Sequence, residues 1–206
     1  MYLKKISLEN FRCFEKVEAD LQKKLTLVVG ANGAGKTSLL ESIAIAMSTM
    51  FTAFDGAKAM NITKESAHLK AYKIRSTDNV QPQYPVRIGA WAQLDERPEI
   101  YWERTLNTAK GKTTIKDAKQ ILEVASDYQK RLQEGDTSLL LPIIAYYGTG
   151  RQWDYHREKQ ADISEKNTRT NGYIDCMSGT ANIKLMMNWF LKMTVQKYQN
   201  QENGYG

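Results

Sequence analysis

The fold class of this chain is decided by the stretch Leu25-Thr26-Leu27-Val28-Val29-Gly30-Ala31-Asn32-Gly33-Ala34-Gly35-Lys36-Thr37. A short apolar run ends here in a glycine-rich loop, Gly30 to Thr37, that fits the pattern G-x-x-x-x-G-K-[ST] in full. Glycines allow the backbone to wrap tightly and to turn its N–H groups inward, which forms a nest for phosphate oxygens. The stretch therefore predicts a binding site for a nucleoside triphosphate.

The polar residues of this loop have expected roles. Lys36 would supply a positive charge to the β- and γ-phosphates, and the Thr37 hydroxyl would ligate a magnesium ion. The helix that follows would direct its positive end at the same phosphates. The expected cofactors are ATP and Mg²⁺. The predicted nucleotide-binding residues of the loop are Gly30, Asn32, Gly33, Ala34, Gly35, Lys36, Thr37 and Ser38.

The segments on either side of the loop predict a strand and a helix. Leu25–Val29 is short, apolar and partly β-branched, which indicates a buried strand. After the loop, apolar residues recur three and four positions apart, which predicts a helix packed on a sheet. Strand, loop and helix form the first half of a βαβ unit. These flanks disfavour a chance match, in which a glycine-rich turn happens to precede a lysine.

The remaining pattern predicts an α/β P-loop fold with a mixed sheet, an antiparallel hairpin subdomain and flanking helices. The alternation in Val86–Leu94 and Ile100–Leu106 predicts the hairpin, and Trp91 and Trp102 on it are expected to pack structurally and not to stack on a base. Further expectations are strands at 2–8 and within 11–21, helices at 116–133 and 181–198, a buried strand in 139–147, and a solvated loop at 152–172; residues 52–82 stay unassigned.

Composition narrows the class of protein. The 206 residues are 42% hydrophobic and 25% charged, which is typical of a globular protein. The sequence contains no apolar run long enough to span a membrane, so we expect a cytoplasmic protein without a membrane partner. Two cysteines and two histidines are too few and too isolated to indicate a metal centre. The net charge of +6 is compatible with a phosphate-rich partner such as DNA but does not identify one.

The sequence disfavours two other classes of nucleotide-binding protein. A GTPase should contain an Asn-Lys-x-Asp element that reads guanine, and the sequence contains none. A small-molecule kinase usually continues from its first helix into further helices and an arginine-rich lid, whereas a predicted hairpin follows here. An ATPase remains the favoured class.

Ile6-Ser7-Leu8-Glu9-Asn10-Phe11-Arg12-Cys13-Phe14 is followed, about 20 residues after N-F-R, by the loop from Gly30 through Leu40, which contains G-x-N-G-x-G-K-[ST]. Together these two motifs resemble the opening of ABC-type ATPases of the SMC and RecF kind. Leu141 to Arg151 and Tyr173-Ile174-Asp175-Cys176 resemble more closely a bacterial branch of AAA-type predicted ATP-binding proteins of virulence and anti-phage defence, including the Septu-type ATPase.

The resemblance implies roles for individual residues. Arg12 would approach the adenine or α-phosphate side of the nucleotide, although a surface salt bridge is the alternative. Asn32 would lie near the γ-phosphate and the attacking water. The apolar run ending in Tyr146-Tyr147-Gly148 would take the place of the family's Q-loop, but no glutamine stands there. The implied partners are a second copy joined through ATP-bound heads, a nuclease and DNA.

Two motifs that hydrolysis requires in this family are not found. Leu94-Asp95-Glu96 ends an alternating strand and is rejected as a Walker B motif, and Met177-Ser178-Gly179-Thr180 is rejected as a signature motif. We therefore interpret residues 1–199 as the amino-terminal part of an ABC-type ATPase domain and 200–206 as a disordered tail. A module that senses nucleotide without hydrolysing it is the alternative, because a phosphate loop without a catalytic carboxylate activates water weakly.

Overall fold

The computed structural model of the chain describes residues 1–74, 77–148, 168–177 and 183–202. A four-stranded antiparallel sheet has the strand order β2-β1-β5-β6, and β3 and β4 form a separate hairpin. The strands are β1 (Tyr2–Phe11), β2 (Phe14–Asp20), β3 (Leu69–Ile74), β4 (Thr77–Pro82), β5 (Val86–Gln93) and β6 (Ile100–Leu106). The helices are α1 (Lys36–Met47), α2 (Lys119–Gln133) and α3 (Ile183–Glu202).

The larger sheet buries one face and exposes the other. Cross-strand pairing places Ile6 beside Ala90 and Ala90 beside Trp102, and all three side chains are buried. The opposite face carries charged pairs such as Glu9 with Arg87, 3.1 Å apart. This alternation is expected for a sheet that is covered on one side. The hairpin of β5 and β6 confirms the sequence prediction.

The buried face is covered by α1, α2 and a 3₁₀ helix, Ser48–Ala53. The Nε1 of Trp102 donates a hydrogen bond of 3.0 Å to the carbonyl oxygen of Ala46, so this tryptophan packs structurally, as predicted. The buried residues of α2 are Ile121, Val124, Ala125 and Tyr128. Helices α2 and α3 begin within about three residues of the starts that the sequence predicts at 116 and 181.

The prediction of a buried strand at Leu25–Val29 is wrong. The structure assigns no strand there, and the side chains of Leu25, Leu27 and Val29 are 78%, 79% and 80% exposed. A strand requires a hydrogen-bonded neighbour, and neither edge strand of the sheet, β2 or β6, pairs with this segment. Within the described residues no strand lies beside this segment, so its apolar character does not produce a paired, covered strand.

The prediction of a buried strand in Leu139–Tyr147 is also wrong. This segment has no strand pairing among the described residues. Its exposure nevertheless alternates: Ile143 and Tyr147 are exposed, and Ile144 and Tyr146 between them are partly buried. Such alternation is typical of an extended chain that rests one side on a core. The backbone N–H of Tyr146 donates to the carbonyl oxygen of Cys176, 2.8 Å away, and fixes the end of the segment.

The hairpin of β3 and β4 lies within the region that the sequence left unassigned. Its side chains are almost all exposed, so no alternation of apolar and polar residues marked it. The α/β class is confirmed, with an antiparallel hairpin and flanking helices. The predicted mixed sheet is not found in the described residues, because every strand pair there is antiparallel. Among the described residues, every helix is too short or too polar to span a bilayer.

Three sequence interpretations fall on residues outside the described ranges. The solvated loop at 152–172 is described only from residue 168, and the rejected signature motif only at Met177. The sequence predicts a disordered tail at 200–206. Residues 200–202 belong to α3, and residues 203–206 lie outside the described ranges.

Candidate nucleotide-binding site

The phosphate loop has the backbone geometry that its glycines were expected to provide. Gly33 and Gly35 have φ angles of +83° and +92°, a left-handed conformation that residues with a side chain rarely adopt. Helix α1 begins immediately afterwards at Lys36, and no side chain caps its amino-terminal end. The first turn contains no acidic residue either. The N–H groups and the positive end of this helix are therefore available to an anion.

Lys36 closes the loop on itself. Its Nζ donates hydrogen bonds to the carbonyl oxygens of Gly30 and Ala31, at 2.8 and 2.7 Å. These bonds are exposed to solvent and hold the ammonium group over the loop. In the described part of the chain the Thr37 hydroxyl, which is exposed, makes no hydrogen bond, so it is free to ligate a cation.

The turn between β1 and β2 forms one wall of the loop. A Cβ atom on Gly35 would lie 2.5 Å from both the Cys13 Sγ and the Phe14 ring, closer than real atoms approach. Gly35 is thus required both for its positive φ angle and for the space beside it. The contact of Cys13 and Phe14 with Gly35 could not be predicted from local sequence, because both residues lie more than 20 positions from Gly35 in the chain.

Arg12 is held beside this wall from several directions. Its φ angle is +54°, its N–H donates to the Ser66 carbonyl at 2.7 Å, and its carbonyl oxygen lies 2.9 Å from the His68 Nδ1. The guanidinium Nη2 forms an ion pair of 2.7 Å with Glu41 on α1. The buried Nε has no hydrogen-bond partner. The ion pair with Glu41 therefore fixes the guanidinium against helix α1.

Tyr146 lies near the Arg12–Glu41 pair. Burial raises the pKa of the Tyr146 hydroxyl, and the carboxylate of Glu41 raises it further while Arg12 lowers it. The strand predicted for this segment is absent, so the place of the Q-loop that the family resemblance implied stays a prediction.

The turn that carries Arg12 lies against the phosphate loop, because the neighbouring Cys13 contacts Gly35, and the role of Arg12 toward a nucleotide stays a prediction. The predicted loop residues Asn32, Ala34 and Thr37 are exposed, and Ser38 is partly buried. No sequence motif marks Glu41, Ser66 or His68 as the groups that position Arg12. Their roles depend on contacts between distant parts of the chain.

Asp95 and Glu96 lie far from the phosphate loop. Gln93 pairs with Tyr2 at one end of β1, whereas Phe11 at the other end leads into the Cys13 wall. A strand of this length separates its ends by about 30 Å. Asp95 instead accepts a hydrogen bond from the buried Tyr128 and stabilises the contact of the β5–β6 turn with α2. This position is incompatible with activating water at the loop.

The family model described as AAA domain matches residues 5–203 of the chain. The chain is 24% identical over 200 residues to a retron Vc95 probable ATPase from Vibrio cholerae, covering 91% of this chain and 36% of that protein. It is 46% identical over 43 residues to the DNA replication and repair protein RecF of Clostridium acetobutylicum, covering 21% of this chain and 12% of RecF.

A third relative is structural maintenance of chromosomes protein 6 from Saccharomyces cerevisiae, at 38% identity over 66 residues, or 32% of this chain and 5% of that protein. The chain therefore spans about a third or less of the length of these relatives. A solved SMC ATPase superposes with a TM-score of 0.41 and 20% identity, over 62% of this chain and 80% of the other. That score is too low to support an inference.

Proposed function

The chain belongs to the AAA domain family and is an SMC- and RecF-like P-loop ATPase. We therefore propose that it binds ATP with Mg²⁺ at the loop Gly30–Thr37. The β- and γ-phosphates would displace the Gly30 and Ala31 carbonyls as partners of Lys36. Thr37 would ligate the magnesium ion, and Arg12 would approach the α-phosphate or adenine side. Asn32 would face the γ-phosphate.

The observation that carries this proposal is the open anion site at the start of α1. Gly33 and Gly35 turn the backbone with positive φ angles, the helix end is uncapped, and the Lys36 ammonium already lies over two loop carbonyls. An ammonium group and unpaired N–H groups around one concave loop are what a polyphosphate requires.

Calorimetry of ATP binding with and without magnesium tests the proposal. We expect binding that weakens when the magnesium is chelated, because Thr37 contributes to the site through the metal. A Mg²⁺-dependent affinity for inorganic sulfate equal to that for ATP would contradict a nucleotide site. Binding of GTP and ATP with equal affinity would support a phosphate site without adenine recognition and would contradict the role of Arg12 at the adenine side.

Protection of a cysteine from alkylation provides an independent test of nucleotide binding. Cys13 is exposed and contacts the loop at Gly35, whereas burial raises the pKa of the Cys176 thiol to about 11 and makes it unreactive at neutral pH. We expect Mg²⁺–ATP to slow alkylation of Cys13 by iodoacetamide, measured by mass spectrometry. The variant Cys13→Ser identifies the labelled site. Alkylation at an unchanged rate with saturating ATP would contradict a nucleotide beside this wall.

Beyond nucleotide binding, we propose that ATP joins two copies through their heads and that the assembly serves a DNA-related or anti-phage defence activity with a partner nuclease. The SMC- and RecF-like relationship supports the DNA-related part. The defence activity and the nuclease rest on the resemblance of Leu141 to Arg151 and Tyr173 to Cys176 to the bacterial branch. Sedimentation with and without Mg²⁺–ATP tests self-association. A monomer under both conditions would contradict dimerisation by this chain.

We expect this chain alone to bind ATP with little or no turnover. In the described residues, Glu41 on α1 is paired with Arg12, and Asp95 lies at the opposite end of β1. Steady-state phosphate release from this chain and from the full-length gene product is the measurement. Turnover in the longer product alone supports an ATPase completed by further sequence. Binding without turnover in both supports the sensing module, and rapid turnover by this chain contradicts both readings.

A further inference from the structure

The hairpin of β3 and β4 presents an apolar face to solvent. Opposite residues of antiparallel strands share a face, as do alternate residues along each strand. Six residues thereby share one face and form three cross-strand pairs: Leu69 with Pro82, Ala71 with Val80, and Lys73 with Asp78. Leu69 and Val80 are 58% and 61% exposed, and the other four are exposed as well. We refer to these six residues as the hairpin face.

The opposite face of the hairpin is turned toward the large sheet. Lys70 belongs to that face, and its Nζ forms an ion pair of 3.1 Å with Glu15 on β2. Both ends of the hairpin are attached to Asn10 of β1. The His68 N–H donates to the Asn10 carbonyl at 2.9 Å, and the Asn10 side chain donates to the Pro85 carbonyl at 3.0 Å. The hairpin face is therefore held outward from the sheet.

Nothing in the described part of the chain covers the hairpin face, as the exposure of its side chains shows. A two-stranded hairpin without a covering layer is only marginally stable in water. Its four apolar side chains would be stabilised by a second apolar surface that removes them from water. The question is which surface has the matching pattern.

The hairpin face is complementary to a second copy of itself. Face-to-face packing about a two-fold axis along the hairpin would place β3 of one copy over β4 of the other. Leu69 would then cover Pro82 of the partner subunit, and Val80 would cover Ala71 of the partner subunit. A larger side chain thus meets a smaller one in both apolar rows.

The charged row of the hairpin face matches in the same way. Lys73 and Asp78 are exposed, and their charged groups lie 3.9 Å apart. In the two-fold arrangement Lys73 would meet Asp78 of the partner subunit, and the reverse contact would form as well. Opposite charges across an interface fix its register and disfavour other partners. Size and charge therefore select the same arrangement.

We propose that two copies of this chain associate through their hairpin faces in the absence of nucleotide. This contact is separate from the phosphate loop and goes beyond the joining of ATP-bound heads. Four apolar side chains on each copy bury less than the roughly 1,000 Å² of a stable interface, so the contact is weak by itself. A dissociation constant of roughly 0.1–1 mM is expected. Such a contact gains strength where copies are already held close together.

Sedimentation equilibrium of the nucleotide-free protein, at concentrations up to about 0.5 mM, tests the inference. Val80→Asp should weaken self-association at least about 10-fold, because its carboxylate would lose water without gaining a partner. The matched control is Gln81→Asp, which adds the same charge at the neighbouring residue on the opposite face. It should stay within about twofold of wild type. Circular dichroism verifies that both variants fold.

A charge exchange separates contact between copies from folding of the hairpin. Lys73→Glu leaves two acidic residues in the charged row, and Asp78→Lys leaves two basic ones. Each variant alone should associate more weakly than wild type, because like charges meet. An equimolar mixture should associate at least as tightly as wild type, because the acidic row of one copy meets the basic row of the other. Mixing restores nothing within a single hairpin.

Every outcome decides the inference. Weaker association of Val80→Asp than of Gln81→Asp, with recovery in the mixture, supports it. Equal behaviour of those two variants, or a mixture that associates no better than its components, would overturn it. A wild type that stays monomeric at all concentrations would also overturn it and leave the hairpin face to a different protein. Because no nucleotide is present, failure to bind ATP would refute the proposed function and leave this result standing.

Discussion

Replacing Lys36 with alanine is expected to lower the affinity for Mg²⁺–ATP by at least about 100-fold. The Lys36 Nζ lies over the loop carbonyls of Gly30 and Ala31, where the β- and γ-phosphates are expected to bind. Each charge-assisted hydrogen bond to a phosphate contributes about 1.5–3 kcal/mol, and the loss of two corresponds to at least a 100-fold change. Calorimetric titration of wild type and variant measures the difference.

The control for this prediction is Lys23→Ala, which removes the same charge from an exposed position before the loop. We expect its ATP affinity to stay within about twofold of wild type, because surface charges act weakly at a distance. The bonds from Lys36 to the loop carbonyls are exposed to solvent. The free energy of unfolding of the ligand-free Lys36→Ala protein should therefore differ from that of wild type by only about 0.5 kcal/mol. Unchanged ATP affinity in a folded Lys36→Ala variant would refute the nucleotide site.

Replacing Arg104 with alanine is expected to destabilise the fold by about 3–4 kcal/mol. Arg104 lies on the covered face of β6, is 1% exposed, and donates to the Thr49 hydroxyl at 3.0 Å as well as to Asn61 and Thr114. Burial lowers the pKa of its guanidinium to about 10, so it stays charged at neutral pH. Alanine would leave three acceptors without their donor and a void in the core.

Thermal unfolding followed by circular dichroism measures this effect, with an expected drop in Tm of roughly 6–16 °C. Arg87→Ala is the matched control on the neighbouring strand, because its ion pair with Glu9 is exposed and should contribute at most about 1 kcal/mol. Arg104→Met preserves much of the side-chain volume but not the hydrogen bonds. Wild-type stability in Arg104→Met would show that the hydrogen bonds do not stabilise the fold.

Local sequence determined the phosphate loop, the hairpin of β5 and β6, and the helices α1, α2 and α3. In each case the information lies in neighbouring residues: glycines at Gly33 and Gly35 permit positive φ angles, alternation along β5 marks a half-buried strand, and the spacing of Ile121 and Tyr128 marks a helix face. These are properties of the chain over one loop or one element, so they can be read before the fold is known.

The tertiary structure alone decided which apolar segments are covered and which side chains meet. Leu25–Val29 has the composition of a buried strand, but strand pairing needs a partner that the composition of the segment does not specify. Three contacts join residues 20 to more than 50 positions apart: Arg12 with Glu41, Cys13 with Gly35, and Ile62 with Thr113 beside Arg104. Such contacts arise from how the elements pack, because hydrophobic burial and hydrogen bonding act between neighbours in space and not between neighbours in sequence.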